Sequence, residues 1–243
     1  MKLGLFEEAQ TEFNKSLKFY TVTNDAHGLY KVYYNMGLNY RNLNMLQESI
    51  NAFGNAITRF DTSQALNNRG LSQFESENYS AAVKDFSDAI KKSEPKISDP
   101  HRVCEPKKAV HFNNRGLALY HSNQNEKALE DFAKAHQIAP KDPNVLYNRG
   151  NVFLTMNLFD EARKDFDAAI KIQPTRPKFY HAKGLAYEAQ ATYVEQELLT
   201  NPAEPELDTN GYPIRIEESK TPASLMSPVS QTETQTMMTN ANN

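Results

Sequence analysis

Residues 114–140 read NRGLALYHSNQNEKALEDFAKAHQIAP, and residues 148–174 read NRGNVFLTMNLFDEARKDFDAAIKIQP. The two segments start 34 residues apart and carry glycine, alanine, phenylalanine and proline at the same positions. The recurring residues are Gly116, Ala128, Phe132, Ala135 and Pro140, then Gly150, Ala162, Phe166, Ala169 and Pro174. A period of this length is typical of stacked helical hairpins, which bury their apolar faces only against their neighbours. The sequence therefore predicts an all-α solenoid.

Each position in the period has a physical role. The glycine is expected midway along the first helix of a hairpin, where a neighbouring backbone comes close and a side chain would overpack the contact. The two alanines, seven residues apart, lie on one face of the second helix, and the phenylalanine between them fills the remaining gap. The proline ends the second helix. Arginines precede three of the glycines, and we expect Arg69, Arg115 and Arg149 to pair with Asp85, Asp131 and Asp165.

The same signature extends towards both ends of the chain. It recurs as Gly70, Ala82, Phe86 and Ala89, as Gly37, Ser49, Phe53 and Ala56, and in part as Ala9, Phe13 and Ser16. The sequence predicts four hairpin units, at 30–62, 63–96, 109–142 and 143–176, with an inserted proline-containing loop at 97–108. Before them we place a partial unit with only a second helix at 1–23 and a linker at 24–29. After them we place a terminal capping helix at 177–200 and a disordered tail at 201–243.

The first unit lacks its first helix, and Leu3-Gly4 is interpreted as the turn that would follow that helix. We expect either that the chain is a fragment or that a partner supplies the missing surface. The tail at 201–243 has five prolines, many serines and threonines and few large apolar residues, so burial cannot offset the entropy of ordering it.

The quoted segments resemble the tetratricopeptide repeat (TPR) family over about residues 1–190. The resemblance rests on Asn114-Arg115-Gly116-Leu117-Ala118 and Asn148-Arg149-Gly150-Asn151-Val152, with the second helices that begin at Glu126 and Asp160. It implies a right-handed superhelix whose first helices form the inner, concave wall. It also implies a non-enzymatic scaffold or adaptor that binds an extended peptide or a partner helix.

Composition narrows the function classes. The net charge is −3 and no basic stripe is visible, which disfavours nucleic acid as a partner. No apolar run approaches the length of a membrane span and no secretory signal is visible, so no membrane partner is expected. A single cysteine, Cys104, favours a reducing, cytoplasmic compartment. His101 and Cys104 are three residues apart, but zinc needs about four ligands and no second pair follows, so we expect no metal or other cofactor.

The candidate binding residues follow the same register. Asparagine stands two residues before four glycines, and we call Asn35, Asn68, Asn114 and Asn148 the asparagine ladder. A carboxamide both donates and accepts, so the ladder suits the backbone of an extended peptide. The alternative is that these asparagines cap or bridge neighbouring helices. Neighbouring aromatic residues are expected to set selectivity: Tyr34, Phe74, Tyr120 and Tyr147.

A heat-shock chaperone tail is disfavoured as the partner. The TPR clamp for that acidic terminus needs five residues over three repeats, and the best match here supplies only Asn148 and Lys178. Two other functions stay open from sequence: a substrate-recruiting or regulatory part of a larger enzyme, and a fixed subunit of a large ciliary, transport or ubiquitin-related assembly. No catalytic motif is visible, and the chain itself is expected not to be an enzyme.

Overall fold

The computed structural model describes residues 2–93 and 106–200, and within them the chain forms ten α-helices. The helices are α1 Lys2–Val22, α2 Ala26–Asn42, α3 Leu46–Arg59, α4 Ser63–Glu75, α5 Tyr79–Lys92, α6 Pro106–His121, α7 Asn125–Ile138, α8 Pro143–Thr155, α9 Phe159–Ile172 and α10 Pro177–Thr200. One compact unit runs from Met1 to Tyr193; a second begins at Val194, of which α10 up to Thr200 is described.

Four helical hairpins form the first unit, each made of a first and a second helix: α2 with α3, α4 with α5, α6 with α7, and α8 with α9. α1 packs on α2, ahead of the first hairpin. α10 covers the other end, since its Phe179 and Ala182 are buried against residues of α8 and α9. The hairpin architecture predicted from the 34-residue period is therefore present.

The inter-helix turns are repeated as closely as the helices. Each turn contains one residue with positive φ, seven positions after the hairpin glycine: Asn44, Glu77, Asn123 and Asn157, with φ between 58° and 61°. Asparagine tolerates this left-handed conformation better than most residues, so three of the four turns use it. Pro140 and Pro174 follow the ends of α7 and α9, which confirms their predicted role as terminators.

The core is built from one phenylalanine per second helix. Phe53, Phe86, Phe132 and Phe166 have no exposed surface. Their flanking alanines Ala82, Ala89, Ala128, Ala135, Ala162 and Ala169 are also fully buried. Where the first hairpin has Ser49 in place of alanine, the hydroxyl is satisfied by the carbonyl oxygen of Gly37 at 2.7 Å and the Ser72 hydroxyl at 2.8 Å. The alanine and phenylalanine assignments are thus confirmed.

The glycine prediction needs a correction. The group that approaches each hairpin glycine is not a neighbouring backbone but the phenylalanine ring of the same hairpin. A Cβ added to Gly150 would lie 2.6 Å from Phe166, and one added to Gly37 would lie 2.8 Å from Phe53. Glycine is required here because a buried aromatic ring rests directly on the helix backbone.

The linker at 24–29 is also corrected. α2 begins at Ala26, because the Asp25 carboxylate caps it by accepting hydrogen bonds from the amides of His27 and Gly28, each at 3.0 Å. Gly28 lies inside this helix, and an added Cβ would come within 2.3 Å of the Tyr20 ring of α1. A glycine that resembles a linker signal in the sequence thus marks a close helix crossing.

Three further boundaries differ or lie outside the described residues. Gly4 lies within α1, so Leu3-Gly4 is not a turn. α6 begins at Pro106, so residues 106–108 belong to a helix and not to the loop predicted at 97–108. Residues 94–105, which include His101 and Cys104, lie outside the described part. The tail at 201–243 lies outside it as well.

Three hairpins carry the predicted ion pair between their helices. Arg69, Arg115 and Arg149 each donate two hydrogen bonds, of 2.6–2.8 Å, to Asp85, Asp131 and Asp165 respectively. The carboxylates are buried, and the hydrogen bond to Asp85 is the main cause that raises the pKa of Arg69. The first hairpin has Met36 and Ala52 at these two positions, and both are buried. The fold therefore accepts either a buried ion pair or an apolar pair.

We expect Gly150→Ala to destabilise the chain by about 1–3 kcal/mol, because the new methyl group overlaps the buried Phe166 ring. Gly184→Ala is the matched control, since a Cβ there meets nothing within 4 Å and alanine favours helix by up to about 1 kcal/mol. Urea unfolding followed by circular dichroism measures both. Equal effects of the two substitutions would contradict the glycine–ring contact.

Arg115→Met alone should cost about 3–5 kcal/mol, because it leaves the buried Asp131 carboxylate unpaired. The double variant Arg115→Met/Asp131→Ala copies the Met36–Ala52 pair of the first hairpin and should be less destabilised than Arg115→Met. The test compares the free energies of unfolding of the single and the double variant. A double variant that is less stable than Arg115→Met would show that the apolar pair cannot replace the ion pair in this hairpin.

Candidate functional site

The face lined by the first helices is the candidate site. Successive first helices contact one another, α2 with α4, α4 with α6 and α6 with α8, whereas α3, α5, α7 and α9 make no such contact with each other in the described residues. The hairpins of the first unit are therefore closer together on the first-helix side. We define the first-helix face by the residues six, three and two before and one and four after each hairpin glycine.

The asparagine ladder bridges successive first helices. The Nδ2 of Asn68 donates to the Tyr34 hydroxyl at 2.7 Å, that of Asn114 to Oδ1 of Asn67 at 3.0 Å, and that of Asn148 to Oδ1 of Asn113 at 2.9 Å. In each case the donor stands two residues before a glycine and the acceptor three residues before the preceding one. The bridging role that the sequence left open is thus present at three junctions.

Asn35 differs from the other three ladder residues. Its side chain is exposed and makes no hydrogen bond within residues 2–93 and 106–200. The contact to α1 is made instead by Asn39, which donates to the carbonyl oxygen of Phe6 at 2.9 Å and to Oε1 of Gln10 at 3.0 Å. The carboxamide of Asn35 is therefore open to a ligand on both its donor and acceptor sides.

The three bridging asparagines leave their oxygen atoms weakly engaged. Oδ1 of Asn68 and of Asn114 each accept one long bond of 3.4 Å, from Arg41 and Asn113 respectively. Oδ1 of Asn148 accepts none from any described residue. Because each amide nitrogen already donates one of its two hydrogens to a bridge while the oxygens are almost unused, this part of the ladder offers mainly acceptors, which suit the N–H groups of a peptide backbone.

The four aromatic residues predicted to set selectivity are all partly buried. Tyr34 packs edge-on against Phe53, and Phe74 packs edge-on against Tyr79 and His121, with ring centroids 5.2–5.6 Å apart. Tyr147 packs at a tilt against Phe179 at 5.6 Å and against Phe166 at 6.1 Å. The Tyr120 hydroxyl lies 2.8 Å from that of Thr155. Each ring is held in place by neighbours while one part of it stays accessible.

Burial raises the pKa of the Tyr34 phenol, with a further contribution from Tyr30, while the hydrogen bond from Asn68 acts in the opposite direction. The phenol is therefore neutral at physiological pH. Its oxygen accepts from Asn68, and its hydroxyl hydrogen is a donor on the same face.

Lys178 lies beside the first-helix face, and the sequence gives it a role only in the disfavoured chaperone clamp. Its ammonium lies 4.4 Å from the centre of the Tyr147 ring and donates to Oδ1 of Asn144 at 3.2 Å. Burial is the main cause that lowers the pKa of Lys178, and Arg176 adds to the effect. The signal was available in the sequence, because Asn144 and Lys178 occupy the same position six residues before successive glycines.

A second feature that the sequence did not reveal is a buried polar cluster between α4 and α6. Oδ1 of Asn67 lies 3.0 Å from both Nδ2 of Asn114 and Nδ1 of His111. Since this oxygen can only accept, Nδ1 of His111 is the donor. Asn114 is consequently more deeply held than the other ladder residues, with 9% of its surface exposed.

The described residues bring together no group of three or more histidine, cysteine, aspartate or glutamate side chains that could hold a metal ion. Across that same part of the chain, every helix is too short or too polar to cross a membrane.

Three family models match the chain: one described as TPR repeat at residues 116–157, and two described as tetratricopeptide repeat at 143–176 and 34–100. A comparison with curated protein sequences gave no significant match. Among solved structures, a crystal structure of MamA is similar at 21% identity, with 72% of this chain and 92% of that chain covered and a TM-score of 0.57.

Two other solved structures share this architecture. One is YrrB, described as a TPR protein with an unusual peptide-binding site, at 18% identity, with 79% of this chain and 93% of that chain covered and a TM-score of 0.53. The other comes from the Cut9–Hcn1 hetero-tetramer of APC/C, at 15% identity, with 74% and 39% covered and a TM-score of 0.57. At these identities the likeness shows the fold, and the predicted all-α solenoid is confirmed.

Since Asn113 and Asn148 share one hydrogen bond, we expect their alanine substitutions to be non-additive. Each single variant should lose about 0.5–1.5 kcal/mol of stability, and the double variant should lose less than the sum by a similar amount. Urea unfolding of the four proteins in the cycle measures the coupling. Strict additivity would mean that the bridge between α6 and α8 does not form in solution.

Proposed function

Because the chain belongs to the tetratricopeptide repeat family, whose repeats serve generally as protein-interaction modules, we propose that it is a non-enzymatic scaffold or adaptor that binds an extended peptide or a partner's helix on its first-helix face. The observation that carries the proposal is the register of that face. Carboxamide oxygens with spare acceptor capacity recur on successive hairpins, each beside a partly accessible ring or aliphatic side chain. The single cysteine favours a reducing, cytoplasmic setting for this role.

The ladder supplies register more than affinity. A net hydrogen bond contributes about 0.5–1.5 kcal/mol, so four of them amount to roughly 4 kcal/mol, near a millimolar dissociation constant. Backbone contacts by Asn35, Asn68, Asn114 and Asn148 are independent of the ligand's sequence. Affinity and selectivity then come from Tyr34, Phe74, Tyr120 and Tyr147, which bury apolar ligand side chains at their accessible edges.

Of the cations on or beside the face, Lys31 is exposed and has no ion pair in the described part of the chain, whereas Arg41 and Lys178 are balanced or weakened. Nε of Arg41 lies 4.0 Å from a carboxylate oxygen of Glu75, on the same side of the next hairpin. Lys178 is stacked on Tyr147, and its pKa is lowered by burial. A ligand of mixed polar and apolar residues fits this lining better than a strongly acidic segment. The clamp for an acidic chaperone tail is disfavoured on the same ground.

The proposal is tested with a display library of random twelve-residue peptides, selected on the full chain. We expect selected peptides to bind the double variant Asn114→Ala/Asn148→Ala more weakly by about 1–3 kcal/mol, because two backbone contacts are lost. Isothermal titration calorimetry at a temperature where circular dichroism shows both proteins folded gives the affinities.

Gln137→Ala is the matched control, since it removes an exposed carboxamide from the second helix α7 and should leave the affinity unchanged. Asn148→Asp removes the Nδ2 donor of the bridge to Asn113 but keeps an acceptor for the ligand, so it should retain more affinity than Asn148→Ala. If the selected peptides have equal affinity for the wild type and the double variant, the proposed role of the ladder is wrong.

A further inference from the structure

A polar cleft lies at the junction of the first two hairpins, on residues other than those that define the first-helix face. It has a volume of about 560 Å³, opens to solvent, and is lined by Ile50, Asn51, Gly54 and Asn55 of α3 and by Arg69 and Gln73 of α4. Since a water molecule occupies roughly 30 Å³ of liquid, the cleft is large enough to admit an amino-acid side chain.

The other junctions show why the cleft exists. At three of the four junctions, the residue 17 positions after a hairpin glycine lies close to the residue just before the next glycine; the remaining junction has Ala133 at the first of these positions. Ser87 accepts a hydrogen bond from Nη1 of Arg115 at 3.0 Å, and Asp167 pairs with Lys183 at 2.7 Å. Gly54 stands at this position in the first junction, where an added Cβ would lie 3.8 Å from Nη1 of Arg69. The missing side chain leaves the cleft open.

Packing does not require glycine at position 54. It lies within α3 with no positive φ, and an added Cβ would make only ordinary contact with Arg69. The hairpin glycines differ, because a Cβ on any of them would press against a phenylalanine ring. Glycine inside a helix costs about 1 kcal/mol relative to alanine, so Gly54 destabilises α3 although no packing contact requires glycine there.

Two polar atoms beside the cleft lack partners. Oε1 of Gln73 is buried and accepts no hydrogen bond from the described residues, so a ligand in the cleft reaches it only after the Gln73 side chain rotates towards the opening. Arg69 uses Nε and Nη2 on Asp85, which leaves Nη1, the atom nearest to Gly54, without a partner there. A buried acceptor without a donor costs about 1–3 kcal/mol, which a ligand that supplies the donor would recover.

These atoms define the chemistry of the ligand. Oε1 of Gln73 needs a donor and Nη1 of Arg69 needs an acceptor, so the ligand group must carry both. A carboxylate cannot donate, and the buried Asp85 carboxylate, 2.7 Å behind the guanidinium, already neutralises the charge of Arg69. A primary carboxamide carries both functions without charge, and it matches Gln73 in either orientation of that amide.

We propose that this cleft is a second binding site, distinct from the first-helix face, and that it takes the carboxamide side chain of a glutamine or asparagine presented by a protein partner. The exposed Asn51 and Asn55 add further donors and acceptors to the lining, and the half-buried Ile50 adds an apolar surface for the methylene groups. The site does not depend on the asparagine ladder, because no residue of the ladder lines it.

The experiment is a titration of the ¹⁵N-labelled full chain with N-acetyl-glutamine amide, followed by amide and side-chain chemical shifts. We expect shifts at residues 50–55, Arg69 and Gln73 that saturate in the millimolar range, as for other small ligands with few contacts. N-acetyl-glutamate amide, which has the same shape but a carboxylate, should bind at least about tenfold more weakly, since one mismatched hydrogen bond is worth roughly 1.4 kcal/mol.

Two variants localise the site. Gly54→Ser places in the cleft the hydroxyl that Ser87 supplies to Arg115 in the next junction, so it should abolish the shifts and raise the midpoint of thermal unfolding. Ala133→Ser is its matched control: it adds the same hydroxyl at the equivalent exposed position of the third junction and should leave binding unchanged. Gln73→Met removes the acceptor and should weaken binding about tenfold.

The proposal is overturned if the carboxamide causes no saturable shift at these residues, if the carboxylate binds equally well, or if Gly54→Ser binds like the wild type. Failure here leaves the peptide test on Asn114 and Asn148 untouched, because that test reads a different set of residues.

Discussion

The contact between a helix glycine and a buried phenylalanine ring is the constraint on which the whole stack depends. The ring of the second helix lies on the backbone of the first, so the two helices approach as closely as the thickness of one aromatic ring allows. The same contact recurs in four hairpins. Hairpins built on the same contact stack with equivalent positions near one another at successive junctions, and this repetition turns isolated polar side chains into rows.

Ion pairs and hydrogen bonds then fix the relative positions of the helices, which the ring contact alone does not determine. The arginine–aspartate pairs tie the two helices within a hairpin, and the carboxamide bridges tie one hairpin to the next. Met36 and Ala52 replace the ion pair in the first hairpin without loss of the ring contact between Gly37 and Phe53. The ion pair is therefore a secondary restraint, consistent with the view that buried pairs add specificity more than stability.

Sequence periodicity predicted the hairpins, the core alanines and phenylalanines, the helix-ending prolines and the Arg–Asp pairs, because each is a property of one repeat. It failed where two segments outside the repeat register meet. The sequence places Gly28 in a linker because the Tyr20 ring that it contacts lies in α1, outside the hairpin that Gly28 belongs to. The positions of the ladder were predictable, but the direction of its hydrogen bonds was not, since that depends on how closely successive helices pack. The cleft at Gly54 is visible only by comparison with the other junctions.

Helix spacing restricts the conformation of a peptide that could use the ladder. Packed helices lie about 8–10 Å apart, so ladder residues on successive hairpins recur at about that interval. In a β-strand, N–H groups on one side recur every second residue, or about 6.6 Å, and would lose register after one hairpin. A polyproline-type helix repeats every third residue, or about 9.3 Å, which matches the interval between successive hairpins. Its backbone makes no internal hydrogen bonds, so its N–H groups are available to the acceptor oxygens of Asn68, Asn114 and Asn148. An extended ligand in register with these hairpins is therefore expected to present every third residue to the wall.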